Sequence, residues 1–226
     1  MPSVLAQAWA IAAKDLLLEF RSRTAFLSAL VFTALVLAIF NFARDPTAVS
    51  AADLAPSVLW ITFAFAGVLT LSRAFGLEKE NRAMDGLLLS PASRTAIYVG
   101  KTAANLVFVG AIEAIALPLF ALFFDVDLLP VLPPLVLVIA LATIGFVSIG
   151  TLMSSMAVNT RYGELLLLVL VLPFLVTPVS AAAAMTAKIL ALRPSVEWAP
   201  WLRLLAAYDI TFVVLCTLVF EYTLEE

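Results

Sequence analysis

The stretch Glu78-Lys79-Glu80-Asn81-Arg82-Ala83-Met84-Asp85-Gly86-Leu87-Leu88-Leu89-Ser90-Pro91-Ala92-Ser93-Arg94 is a polar island between two long apolar runs. Charges of both signs crowd together, then Gly86, a Leu triplet and Ser90-Pro91 follow. Such a segment is poor material for a membrane span. It suits a short helix held at the membrane surface and offered to a soluble partner. Three large apolar residues in a loop need cover, from lipid or from protein. Glu78, Glu80, Arg82 and Asp85 flank them and can set register with a charged groove. The alternative is a plain solvated loop, which leaves Leu87, Leu88 and Leu89 unexplained.

Working outward, the chain has 226 residues, 64% hydrophobic and 13% charged, with a mean hydropathy of +1.10. Soluble domains hold roughly 45–50% apolar residues, so this composition belongs to an integral membrane protein. About 20 apolar residues span a bilayer as a helix. Six such segments are predicted, at about 25–43, 54–72, 101–124, 131–157, 164–187 and 204–220. The apolar runs are continuous rather than alternating, which selects helices over a barrel. The connecting loops are short, and the longest after 78–94 is Lys188 to Arg203. The spans, a surface helix at 3–22 and a cytoplasmic helix at 78–94 make one transmembrane domain over residues 1–226.

A net charge of −3 without a basic tail gives no support for nucleic-acid binding. Histidine is absent and the one cysteine is Cys216. That excludes a zinc site built from His and Cys, bis-histidine haem ligation and an intrachain disulfide within this chain. The N-terminus does not read as a cleaved signal peptide, because Lys14, Asp15 and Glu19 interrupt it and its basic residues follow the apolar ones. Residues 3–22 read instead as an amphipathic helix lying in the interface. Leu5, Trp9, Ala12, Leu16 and Phe20 share its apolar face, and Gln7, Lys14 and Arg21 lie off it. The Lys and Arg distribution sets orientation. With the N-terminus in the cytoplasm, nine basic residues fall on that side and four outside, so both termini are expected to be cytoplasmic.

Gly100-Lys101-Thr102 carries the end of a phosphate-binding P-loop, but Thr95 stands where the first glycine belongs and no strand precedes it. Lys101 reads as the cytoplasmic end of the third span. Any ATP use must then come from a partner. Glu113 lies inside the third span, with Asn105 two turns before it and Pro118 beyond. A carboxylate in a bilayer is a functional candidate by default, and a hydrogen bond across helices is the structural alternative. Asp209 falls about one turn into the sixth span and reads as interfacial. Glu164 suits a helix N-terminus. Gly150-x-x-x-Ser154 and Thr151-x-x-x-Ser155 permit close helix packing, within one subunit or across a dimer. Trp198 and Trp201 read as an interfacial belt. Pro173 and Pro178 free backbone carbonyls in the fifth span.

The run Glu78-x-Glu80 … Asp85-Gly86-Leu87-Leu88-Leu89-Ser90-Pro91-x-Ser93-Arg94-x-Ala96-Ile97-Tyr98-x-Gly100-Lys101 resembles the first cytoplasmic loop of the haem exporter protein B (CcmB) family. These are ABC transporter permease subunits of cytochrome c maturation. Lys14-Asp15-Leu16 … Glu19-x-Arg21-Ser22-Arg23 is similar to that family's start. Met84-Asp85 stands where a Leu-Glu pair is expected. The resemblance implies an ABC-2-type permease architecture with a coupling helix at 78–94. That helix would meet an ATP-binding subunit through Glu78, Glu80, Arg82, Asp85, Gly86, Leu87, Leu88, Ser90, Pro91 and Arg94. It also implies a homodimer within an ABC complex of the bacterial inner membrane, beside a haem-handling membrane protein and a periplasmic haem chaperone. No cofactor is expected on the chain itself. Haem is handled by the complex and ATP is bound by the partner subunit, so the chain is not itself an enzyme. Two other readings fit the same elements: a general ABC-2 permease exporting a drug, lipid or glycan, and a non-ABC scaffold or channel.

Overall fold

Apolar runs of this length leave the backbone one way to satisfy its polar groups in lipid, and the chain takes it. The computed structural model describes residues 3–22, 24–45, 47, 49–80, 92–157 and 162–223, and those residues are helical except at turns. In chain order the helices are α1 (Val4–Ser22), α2 (Thr24–Ala43), α3 (Ala51–Glu80), α4 (Arg94–Phe124), α5 (Leu132–Ala157), α6 (Gly163–Leu190) and α7 (Ser195–Thr223). A 3-10 turn at Leu129–Val131 precedes α5. Six of them, α2 to α7, contain stretches long and apolar enough to cross a membrane. Leu27, Val31, Leu35 and Ile39 on α2 are exposed, as are Ile210, Val214 and Leu218 on α7. These outward apolar stripes have lipid as their natural cover.

Local chemistry sets the helix ends. Ser50 Oγ accepts from Asp53 N (3.1 Å) and donates to the Asp53 carboxylate (2.6 Å), closing a reciprocal cap at the start of α3. Ser93 caps α4 by accepting from Ala96 N at 3.2 Å. Asp125 ends α4 in the left-handed region at φ 53°, a conformation that Asp tolerates better than most residues. Asp125 and Asp127 thus make an acidic turn after α4, and Asp127 Oδ1 accepts from Leu129 N.

Three boundaries differ from the sequence expectation, the first being α3, which runs on to Glu80 rather than ending at about 72. α4 starts at Arg94 rather than near Lys101. α7 starts at Ser195 rather than Leu204, so the supposed loop Lys188–Arg203 shrinks to a turn. There Arg193 N donates to Lys188 O and Leu192 takes φ 55°. Polar residues such as Ser195, Glu197 and Arg203 lower hydropathy without stopping a helix, and Lys188 pairs with Glu197 at 3.6 Å across the turn. Trp198 and Trp201 consequently sit on the first turns of α7, part-buried against the core.

α5 is the central helix, packed on α3, α4, α6 and α7. Its small and hydroxylated residues serve this subunit. A Cβ on Gly150 would run into Leu71 of α3, and Ser154 Oγ donates to Leu71 O at 2.9 Å. Asn105 Nδ2 of α4 donates to Thr151 Oγ1 at 3.0 Å, and Tyr98 OH donates to Ser148 O at 3.0 Å. The small-residue pairs thus pack α5 within one chain. Pro178 leaves the carbonyl four residues earlier, at Phe174, without its helical donor. Tyr208 OH of α7 donates to that carbonyl at 2.7 Å and fastens α6 to α7.

Candidate functional site

α1 is helical as expected and lies on α4. Its packed face is Ala8, Ile11 and Ala12, while Leu5 (78% exposed) and Trp9 (74%) point away from the protein. Ala12 thus leaves the stripe assigned to it from the sequence. The inward face is small because α4 comes close at Gly100. A Cβ there would lie 2.6 Å from Ala8 O and 2.9 Å from Ile11 Cβ. Beside that contact, Lys101 is 2% exposed and its ammonium sits 3.3 Å from Asp15 Oδ2. Lys14 approaches the other carboxylate oxygen at 3.0 Å. The residue that ends the false P-loop is therefore a buried cation held by α1. Two turns earlier, Ser93 N donates to Gln7 Oε1 at 3.1 Å, a second tie to α1.

The same turn of α4 also holds the end of the last helix. Arg94 Nη1 donates to Glu221 O at 2.8 Å, and Thr95 Oγ1 donates to Glu221 Oε1 at 2.6 Å. Tyr98 packs its ring 5.1 Å from Phe220. The ten residues Ala92–Lys101, directly after the polar loop, thus carry ties to α1, α5 and α7. The Lys101 contact and the exposed hydrogen bonds differ in strength. Breaking a buried ion pair by removing one partner costs about 3–5 kcal/mol, whereas exposed polar pairs are worth roughly 0–1 kcal/mol.

Of the partner-contact residues read from the sequence, Arg94 is placed, and it is engaged by Glu221. Glu78 and Glu80 belong by backbone to the last turn of α3, so the segment begins as a continuation of that helix. Arg82, Asp85, Gly86, Leu87, Leu88, Ser90 and Pro91 lie outside the described residues, as do the side chains of Glu78, Glu80 and Glu164.

Glu113 lies within α4, 4% exposed, and Thr143 Oγ1 of α5 meets its carboxyl oxygens at 2.8 and 2.9 Å. The cross-helix hydrogen bond offered as an alternative from sequence is present. A cavity of ≈ 20 Å³ beside it is lined by Trp60, Phe63, Thr143 and Pro178, about the room that one water needs. Asp209 lies at the middle of α7 rather than about one turn into it. It stands 14 residues from either end of α7, roughly 21 Å along the helix from each. It is 6% exposed, and no other side chain among the described residues hydrogen-bonds its carboxyl oxygens. It packs on the bare backbone of α5 at Gly145, where a Cβ would overlap it. Thr143 and Gly145 are two residues apart, so they face roughly 200° apart at depths within about 3 Å. Two buried carboxyl groups therefore flank α5 at one level. The sequence signal for Asp209's depth was Gly145, a glycine in the central helix facing an acid, which only the fold could pair.

Six candidate spans around a central α5, a docked N-terminal surface helix and a polar segment entering at α4 define a multi-pass helical membrane protein of permease type. The profile of the CcmB protein family matches residues 6–226, and the chain belongs to that family. It is similar to heme exporter protein B of Pseudomonas aeruginosa, at 30% identity over 202 residues, covering 88% of this chain and 89% of that protein. Heme exporter protein B of Paracoccus denitrificans is 30% identical over 74% of this chain and 76% of its own length. That of Rhodobacter capsulatus is 29% identical with the same coverage.

Proposed function

We propose that this chain is the membrane permease subunit of an ABC complex that handles haem for cytochrome c biogenesis in the bacterial inner membrane. The chain makes and breaks no bond. A separate ATP-binding subunit hydrolyses ATP, and the segment 78–94 docks on it from the cytoplasmic side, where both termini also lie. Two copies of the chain pair in the complex, beside a haem-handling membrane protein and a periplasmic haem chaperone. The work done is either haem export or release of the haem-loaded chaperone.

The observation that carries this reading is the ten-residue exit of the polar loop. Ser93, Arg94, Thr95, Tyr98 and Lys101 join α4 to α1, α5 and α7. A displacement of the loop therefore bears on several helices at once, which is what a mechanical subunit requires. Relatives named as heme exporters supply the cargo class. The absence of histidine accords with a subunit that transmits force and leaves iron ligation to a partner.

The experiment is a pair of substitutions, Gly86→Asp and Leu88→Asp, made in the intact complex. Each should strip the ATP-binding subunit from the purified chain while leaving its helical content unchanged. Undiminished co-purification with both variants would contradict docking through this segment.

A further inference from the structure

The loop exit holds two helices in different ways. Toward α1 two ties are buried: Lys101 at 2% exposure sits on Asp15, and Gly100 leaves no space between the backbones; a third tie, Gln7 taking the Ser93 N–H, is exposed. Toward α7 the polar ties end on Glu221, an exposed residue in the last turns of that helix. Two hydrogen bonds to one exposed residue compete directly with water, whereas a buried ammonium has no such alternative near by. Below Glu221 the contact continues through Phe220 on Tyr98 and Cys216 in the same apolar cluster. Further along α7 stands Asp209.

We infer that the exit of the polar loop is a branch point with one fixed arm and one releasable arm. α1 and the first two turns of α4 move as a single piece. Arg94 and Thr95 on Glu221 form a latch that holds the end of α7 to that piece and opens when the loop is displaced. Release of the latch frees α7 to tilt or slide against α5. The contact that registers such a shift is Asp209 on Gly145, since the carboxyl group is seated on bare backbone and any residue with a Cβ would not pass it. The inference rests on the reading of 78–94 as the segment that meets the ATP-binding subunit, and adds to it the route of the motion.

Distance trapping in the full complex tests this. In a Cys216→Ala background, one variant carries Thr95→Cys with Glu221→Cys and another carries Gln7→Cys with Ser93→Cys. A short thiol cross-linker is applied in mild detergent, with and without ATP and vanadate to trap the nucleotide state. Opening of the latch lowers the yield of the 95–221 cross-link by about fivefold or more in the trapped state, while the 7–93 yield stays level. Equal yields for 95–221 in both states, or a parallel fall of both pairs, overturn the inference. A parent chain that carries no ATP-binding subunit at all overturns the underlying docking reading instead, and is seen before any cross-linker is added.

Discussion

Two glycines ten residues apart on α4 give the sharpest test of how α1 is held. At Gly100 a new Cβ would stand 2.6 Å from Ala8 O and 2.9 Å from Ile11 Cβ. An ordinary contact is about 3.5–4.0 Å, so α1 must retreat by close to 1 Å or α4 must bend. Ala8 O is backbone, and no rotamer change relieves the overlap. Overpacking of this kind costs about 1–3 kcal/mol, and the better helix propensity of alanine returns about 1 kcal/mol. Gly100→Ala should therefore lower stability by about 1 kcal/mol on balance, and Gly100→Leu should detach α1. At Gly110 a Cβ meets nothing within 4 Å. Gly110→Ala gains the propensity without the clash and should raise stability by up to about 1 kcal/mol. The two variants should differ by about 2 kcal/mol, or nearly 30-fold in the unfolding equilibrium. Denaturant unfolding in mild detergent, followed by tryptophan emission, measures the gap, and Trp9 on α1 adds a local signal. A Gly100→Ala protein as stable as Gly110→Ala would refute the close seating of α1 on α4.

Other variants probe the membrane interior by the same unfolding assay. Tyr208→Phe strips the donor from Phe174 O and should cost about 1–3 kcal/mol. In a Pro178→Ala background the helical N–H returns to that carbonyl, and the cost of Tyr208→Phe should shrink by about 1 kcal/mol, a coupling that a double-mutant cycle reads directly. Thr143→Val keeps the volume and removes the hydroxyl that serves Glu113. A loss of about 1–3 kcal/mol is expected, and Glu113→Leu added on top should recover part of it, because no buried carboxyl group then needs a donor.

The sequence carried the number and order of the spans because continuous apolar runs have one solution in lipid. It placed their ends less well. Arg94 and Thr95 look like loop, yet they open α4 under a Ser93 cap. Ser195–Arg203 looks like loop, yet it is helix, and that shift places Asp209 at the middle of α7 rather than near its start. Hydropathy reports where lipid is, and helices run past lipid into the interface. The face of α1 was hidden for a related reason. Leu5 and Trp9 point outward, whereas docking uses Ala8, Ile11 and Ala12 against Gly100. Apolar moment and packing face coincide in a soluble helix but separate in one that lies between protein and bilayer. Glu113 was legible because a lone acid in an apolar run stands out. Lys101 stands out in the sequence only through its neighbours Gly100 and Thr102, while its partner Asp15 lies 86 residues away on another helix.

The central claim is that this chain is the membrane half of a machine whose ATPase is a separate protein. Purification from native membranes in mild detergent, with identification of the accompanying chains, addresses it directly. An ATP-binding subunit recovered together with haem-handling proteins of cytochrome c biogenesis is the predicted result. An ATP-binding subunit without them would point to a general exporter, and recovery of no ATPase would contradict the account at its root.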